Sequence, residues 1–474
     1  MNDNKSYNGL ARTMGIVALV LIGAVWLIVD SYTLIGKVTV NGTMLVLVYI
    51  VSIIVVLRVN NFKIVPFIFF LAYCFFSNAG QTLVELLHLP HSSNINIYVH
   101  YTDDLIAEML AQQGAIIIFA VCGYLLFKGS SKGLESIKLE TPEAKHSEQI
   151  KLADILFIVI CLSIFVVYLG ELSKRAQMSY GDYYYESREG ANTILTYIYH
   201  VYGFTYLMTR SGWKKKMAVI IMAAIAVMAV FIGSRSNTIP ILVGFVAVSF
   251  LTQKKKVQIK FWHLLLGFLV LYIFSGFTEL RNYSLNRIDI EVLKRIYGSS
   301  VIKSMVNIFM EMGGSARTSL STMSALDIGS IQEGHTMIYY FLKGFLPVQI
   351  IELFISAPDI PALSTWVTEF NGSESGWGFS IIGEMIYNFG AFSFLGGFVF
   401  GTVWVLCERL TAKYLSQKNY FLASTVLYLL GYAAFLARAE MALMSVKMRY
   451  TVYIIVISYL LKKFVLTKKE GAIK

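Results

Sequence analysis

The stretch Phe231-Ile232-Gly233-Ser234-Arg235-Ser236-Asn237 interrupts two apolar runs, 217–232 on its left and 238–252 on its right. Each run is long and apolar enough to cross a lipid bilayer or to lie deeply buried as a helix. The break between them is therefore a tight hairpin at a membrane surface. Arg235, flanked by Ser234, Ser236 and Asn237, is placed there to meet an anion.

The same alternation continues outward in both directions. Runs long enough to cross occur near 14–30, 39–57, 63–77, 105–127, 152–170, 191–209, 217–232, 238–252, 261–279, 378–407, 420–437 and 450–467. The chain has 474 residues, 56% hydrophobic and only 15% charged, so it lacks the polar surface to cover a soluble globule of its size. The expected fold is an all-α polytopic membrane protein of about twelve transmembrane helices with one large extracytoplasmic loop. Five regions follow: four spans in 1–127, a mixed-charge cytoplasmic linker at 128–151, central spans with the Gly-Ser-Arg break in 152–279, the large outer loop at 280–377, and the C-terminal spans in 378–474. The first run lacks a small-residue cleavage site and reads as a retained span.

A net charge of +11 could point to nucleic acid. The basic residues, however, sit in short clusters between apolar runs, such as Lys214-Lys215-Lys216 and Lys254-Lys255-Lys256, where they set topology. With the N-terminus inside, such clusters fill every short loop on the cytoplasmic side. Nucleic acid is therefore not an expected partner, and both termini are cytoplasmic. Arg235, Arg281, Arg317, Lys343, Arg438, Lys447 and Arg449 are among the cations left on the outer side, where topology does not explain them; they suggest a polyanionic ligand there. The four cysteines lie in or at the end of apolar runs without paired spacing, so no metal, disulfide or cofactor is expected from them.

The outer segments carry further signals. Residues 180–189 read Tyr-Gly-Asp-Tyr-Tyr-Tyr-Glu-Ser-Arg-Glu. Rings beside carboxylates, Tyr183 and Tyr184 in particular, suit a sugar surface, and equally an interfacial aromatic belt. Residues 78–103 read as an outer loop without lysine or arginine. In the long loop, Ile290 to Met312 is amphipathic and would lie on the membrane or cap the bundle, while Met337 to Phe354, interrupted by Lys343 and Pro347, reads as re-entrant or interfacial.

After the loop, Ser380, Glu384 and Asn388 are spaced i, i+4, i+8, a polar stripe along one face of the tenth span. On a continuous helix Glu384 would sit about 9 Å below the outer mouth at Gly378. A carboxylate at that depth either faces a wet cavity or pairs with an arginine to lock helices together.

These features resemble the Wzy-type O-antigen and capsular polysaccharide polymerases. The resemblance rests on Gly233-Ser234-Arg235, the large loop beginning after Arg281, Phe345-Leu346-Pro347, the Gly-Phe-Ser-x-x-x-Glu-x-x-x-Asn-Phe-Gly at 378–390, and Ala437-Arg438-Ala439-Glu440, all in order over about 190–450. It implies a GT-C-like, metal-independent glycosyltransferase of the bacterial inner membrane, working on its outer face without a cofactor. Donor and acceptor would be undecaprenyl-diphosphate-linked oligosaccharides in membrane lipid, with a chain-length regulator protein as a further partner. Arg235, Arg281 and Arg438 would hold the diphosphate, and Glu384 would accept the acceptor's proton or orient an arginine. Ser234, Asn237, Tyr183, Tyr184, Ser380, Asn388 and Arg317 would line the substrate. The related ligases use a loop histidine; only His335 stands in that loop, outside any matching context, and a lipid-linked oligosaccharide flippase is the third reading.

Orientation is the first thing to test. Cysteines introduced at Ser236 and Ser330 should label in intact cells with a membrane-impermeant reagent, and one at Ser131 should not; the reverse pattern inverts the topology and removes the outer site.

Overall fold

The computed structural model describes residues 3–33, 36–91, 96–128, 147–178, 193–232, 235–252, 290–298, 301–327, 335–360, 362–372 and 378–471. All regular structure among them is helical. The helices are α1 (Asp3–Tyr32), α2 (Lys37–Val59), α3 (Pro66–Leu86), α4 (Asp103–Lys128), α5 (Ser147–Gln177), α6 (Thr193–Thr209), α7 (Gly212–Ile232) and α8 (Arg235–Thr252). Five shorter ones follow: α9 (Ile290–Tyr297), α10 (Val301–Gly313), α11 (Ala316–Asp327), α12 (Thr336–Lys343) and α13 (Leu363–Phe370). The chain closes with α14 (Ile381–Phe389), α15 (Ser393–Ser416), α16 (Tyr420–Phe435) and α17 (Met441–Gly471). Among the described residues, eight helical segments are long and apolar enough to cross a membrane. In hydrocarbon a backbone can satisfy its polar groups only internally, so an all-helical bundle is the expected answer to this composition.

The bundle is built around α4 and α15. Small residues let their backbones approach: a Cβ on Gly397 would fall on the carbonyl oxygen of Ile116, one on Gly401 on that of Ala120, and one on Gly123 on that of Phe398. Phe67 stacks on Tyr124 with ring centroids 4.5 Å apart, and Phe70 meets Phe400, so α3 joins the same layer. One apolar core runs through α1–α4, α12 and α14–α17; a second joins α5–α8 to the facing ends of α15 and α16. The N-terminal and C-terminal regions thus share a core although the chain separates them widely.

Polar groups pin the two ends. At one end Lys128, 4% exposed, donates to Asn60 Oδ1 at 2.6 Å and to the Tyr124 hydroxyl at 3.2 Å, with Glu408 at 3.5 Å; Tyr124 in turn donates to Glu408 at 2.8 Å. The Arg409 guanidinium caps the end of α4 through the carbonyls of Phe127 and Lys128. At the opposite end the C-terminal half of α3, the start of α14, the end of α16 and the short helices α10–α13 gather in one layer.

Several expectations change. Residues 78–86 are helix, not loop: α3 runs on to Leu86, and Asn78, Gln81 and Thr82 are buried. Their polarity serves the interior, since Gln81 Nε2 donates to Met310 O at 2.8 Å and its Oε1 accepts the Ile97 N–H at 2.9 Å. The amphipathic stretch from Ile290 breaks between Tyr297 and Val301, and its second part docks on α3, where a Cβ on Gly80 would lie 2.6 Å from Phe309 O. The 337–354 segment is a helix of eight residues, about 12 Å long, then a break at Pro347, too short to cross. The tenth span, expected as one helix from Gly378, is two. It is broken at Gly390, whose φ of 52° and ψ of −126° suit only glycine. Beyond that break α14 folds back on α15: a Cβ on Gly396 would lie 3.0 Å from both Met385 and Phe389. The expected span at 261–279 lies outside the described residues.

Close approach at Gly401 makes a packing prediction. Gly401→Val should sharply lower the amount of protein recovered from membranes, because the clash is with backbone, while Gly170→Val, with open space around it, should not. Immunoblots of membrane fractions at matched induction read the difference.

Candidate functional site

This layer is assembled from helix starts. Ser380 takes an extended conformation (φ −131°, ψ 148°) and its Oγ accepts the Gly383 N–H at 3.0 Å, so α14 carries its own N-cap. The same hydroxyl lies 3.3 Å from Thr318 Oγ1 on α11. Two neighbouring helices have no such local cap: His335 before α12 and Ala362 before α13 make no side-chain cap bond. Their first N–H groups are met from elsewhere in the chain.

The stripe on α14 does part of this. Asn388 Oδ1 accepts the Met337 N–H at 3.2 Å, its Nδ2 donates to Thr336 Oγ1 at 2.9 Å, and that amide also donates to the Glu384 carbonyl at 2.7 Å. Glu384, 1% exposed, accepts the Met441 N–H at 2.6 Å with Oε2 and the Thr336 hydroxyl at 3.4 Å with Oε1. It holds the first residue of α17. Glu440 repeats the arrangement for α13: Oε2 accepts the N–H groups of Leu363 at 2.7 Å and Ser364 at 3.2 Å, and Oε1 the Ser364 hydroxyl at 2.8 Å. A carboxylate at a helix N-terminus gains from both the open N–H groups and the helix dipole. Glu384 and Asn388 thus share a face of α14 that looks onto helix starts, and Ser380 stands at its N-cap rather than on the helix.

Arg438 ends the 3-10 turn Leu436–Arg438 that closes α16. It is half-buried beside the start of the 378–390 motif: a Cβ on Gly378 would lie 3.8 Å from its Cγ and 4.0 Å from its Nε. Two residues on, Glu440 holds the start of α13, and three on, Met441 is held by Glu384, so the arginine is carried on a turn fixed at its far side. Arg317 stands next to Thr318 on α11, half-buried and hydrogen-bonded to the Tyr101 hydroxyl. On α12, Lys343 lies over the rings of Tyr339 and Tyr340, 5.6 and 5.2 Å from their centroids, and Arg449 of α17 donates to the Lys343 carbonyl at 3.3 and 3.1 Å. Burial first, then the charges of Glu440, Tyr339 and Glu384, push the Tyr340 phenol up to about 12. His335 is tied to the Ser356 carbonyl at 2.7 Å.

Of the residues named from the sequence, Arg438, Glu384, Ser380, Asn388 and Arg317 come together in this layer. Arg235 and Asn237 lie in the first turn of α8, directly after the break, but their side chains are outside the described set. Ser234, Tyr183, Tyr184 and Arg281 lie outside the described residues. Sequence reasoning did not single out Glu440, Thr336 or Arg449 for the site. Glu440 stood two residues from the chosen arginine, and Arg449 stood among the unexplained outer cations; Thr336 gave no signal. Among the described residues, no three His, Cys, Asp or Glu side chains gather as a metal site requires.

Comparison with known proteins adds one finding. A family model described as O-antigen polysaccharide polymerase Wzy matches residues 13–469, nearly the whole chain. No match was found among curated proteins, nor among solved structures.

The geometry separates two uses of Glu384. As the anchor of α17 it needs an acceptor oxygen, which glutamine retains, so Glu384→Gln should keep membrane abundance and most activity. Glu384→Leu should lose abundance, because a buried N–H left without a partner costs about 1–3 kcal/mol. Full abundance with abolished polymerisation in the Gln variant would instead make the carboxylate a base.

Proposed function

As a member of the O-antigen polysaccharide polymerase family, the chain is a multi-pass inner-membrane enzyme that polymerises lipid-linked oligosaccharide repeat units, and we propose that it does so with arginines gripping a polyprenyl diphosphate on the outer face. The growing glycan is transferred from undecaprenyl diphosphate to a hydroxyl of the next lipid-linked repeat. That oxygen attacks the anomeric carbon, the bond from carbon to the diphosphate oxygen breaks, and the diphosphate leaves with the electron pair while the acceptor hydroxyl loses its proton. A diphosphate is already a weak base, so the leaving group needs neutralisation by cations rather than a general acid. Arginine's permanent charge and paired N–H donors suit that task without a metal.

Arg438 carries this reading. It is the candidate cation set at the mouth of the bundle on a turn held by Glu384 and Glu440, beside the glycine that opens the 378–390 motif. Arg235 and Arg281 complete the grip, Arg317 lies one residue from the hydroxyl pair that joins α11 to α14, and Ser234, Asn237, Tyr183 and Tyr184 line the sugar path. Ser380, Asn388 and Glu384 act by positioning: they fix the starts of α14, α12 and α17. The chain crosses the membrane twelve times in a GT-C-like arrangement with both termini cytoplasmic, supported by the helix pattern and by the lysine clusters of the assigned inner loops. A chain-length regulator protein is its partner in setting polymer size.

Deletion of the gene should leave single-repeat glycan on a gel; loss of all attached glycan with lipid-linked polymer accumulating would indicate a ligase. In complementation, Arg438→Ala should not restore the ladder. Arg438→Lys keeps the charge but loses the fork, and should fall on the order of a hundredfold in rate at unchanged abundance. Lys37→Ala, an outer cation away from the site, should give a normal ladder.

A further inference from the structure

Lys447 has no part in the function derived so far. It lies six residues after Met441, so it sits about 9 Å along α17 from the outer end. Its side chain is buried, 7% exposed. Among the described residues its ammonium meets no carboxylate and no hydrogen-bond acceptor; its one polar contact is the face of Tyr432 on α16, 5.3 Å from the ring centroid. Lys128 shows what a structural buried lysine looks like in the same chain, with an amide oxygen, a phenol and a carboxylate around its ammonium. A charge inside a bundle without a counter-ion is costly to keep and marks a place where an anion is to be received.

Its position says which part of an anion. Helices α16 and α17 run antiparallel about the Arg438–Glu440 turn, and Tyr432 stands six residues before Arg438 as Lys447 stands six after Met441. The Lys447–Tyr432 pair therefore lies about one and a half turns beneath Arg438, on the hydrocarbon side. Met444 and Met448, buried beside it on α17, are adaptable apolar neighbours for a prenyl chain. We infer that the Lys447 ammonium receives the lipid-side phosphate of the polyprenyl diphosphate, below the phosphate that Arg438 meets. This rests on the polymerase reading above. The shared chemistry is a phosphate ester on a lipid, which the carrier and bulk phospholipid both offer.

The test is direct binding of labelled undecaprenyl diphosphate to the full chain in detergent. Lys447→Met and Lys447→Gln, neutral and of similar length, suit an apolar and a hydrated surrounding respectively, so one of the two should be tolerated. Whichever of the two keeps the wild-type unfolding midpoint should weaken binding by at least about tenfold, and Lys447→Arg should keep it within about threefold of wild type. Excess phosphatidylglycerol should not displace the probe. Wild-type affinity in the neutral variants overturns the inference, and displacement by phosphatidylglycerol as readily as by unlabelled carrier reassigns the site to bulk lipid. The polymerase reading fails separately: a gene deletion with an unchanged ladder refutes it whatever Lys447 binds.

Discussion

Three helices at one end of this bundle have their first N–H groups met by side chains from other elements. Asn388 serves α12, Glu440 serves α13 and Glu384 serves α17. Buried N–H groups are expensive to leave open, and a cap is typically worth about 0.5–2 kcal/mol. Because each cap is supplied across space, the cost of losing one is borne by the arrangement of the layer rather than by one helix. Short helices such as α12 and α13, marginal on their own, become fixed parts of a surface.

Two of these caps follow directly after the turn that carries Arg438. Glu440, on its far side, holds α13, and Met441 is held by Glu384 of α14. A cation that must meet charge developing in a transition state is useful only if it is already in place, since reorganising it would add to the barrier. This layer of short helices supplies that rigidity, and α4 and α15 supply the base on which the layer rests. Their glycines bring two backbones into contact, and the Lys128–Glu408 pair closes the opposite end. The two buried lysines thus mark two regimes, one saturated with partners and one left for an anion.

Much of this was legible in the sequence because lipid removes alternatives: an apolar run of sufficient length can satisfy its backbone only as a helix. The helical class, the division of 212–252 into two helices, the spacing of Ser380, Glu384 and Asn388, and the interruption at Pro347 all follow from that constraint and from residue chemistry, and the family match agrees with the motifs read along the chain. What the stripe faces did not follow. A polar residue on a helix reads the same whether its partner is water or another helix, which is why Asn78 and Gln81 looked like loop and why Glu384 could be read either as facing a wet cavity or as locking helices together. The fold-back at Gly390 was hidden for a related reason: glycine permits a positive φ without requiring it, and only packing of Gly396 against Met385 and Phe389 selects it. That Lys447 meets only the Tyr432 ring among the described residues was decided by which side chains α16 brought to its level, a matter of distance between helices that no spacing along one helix can contain.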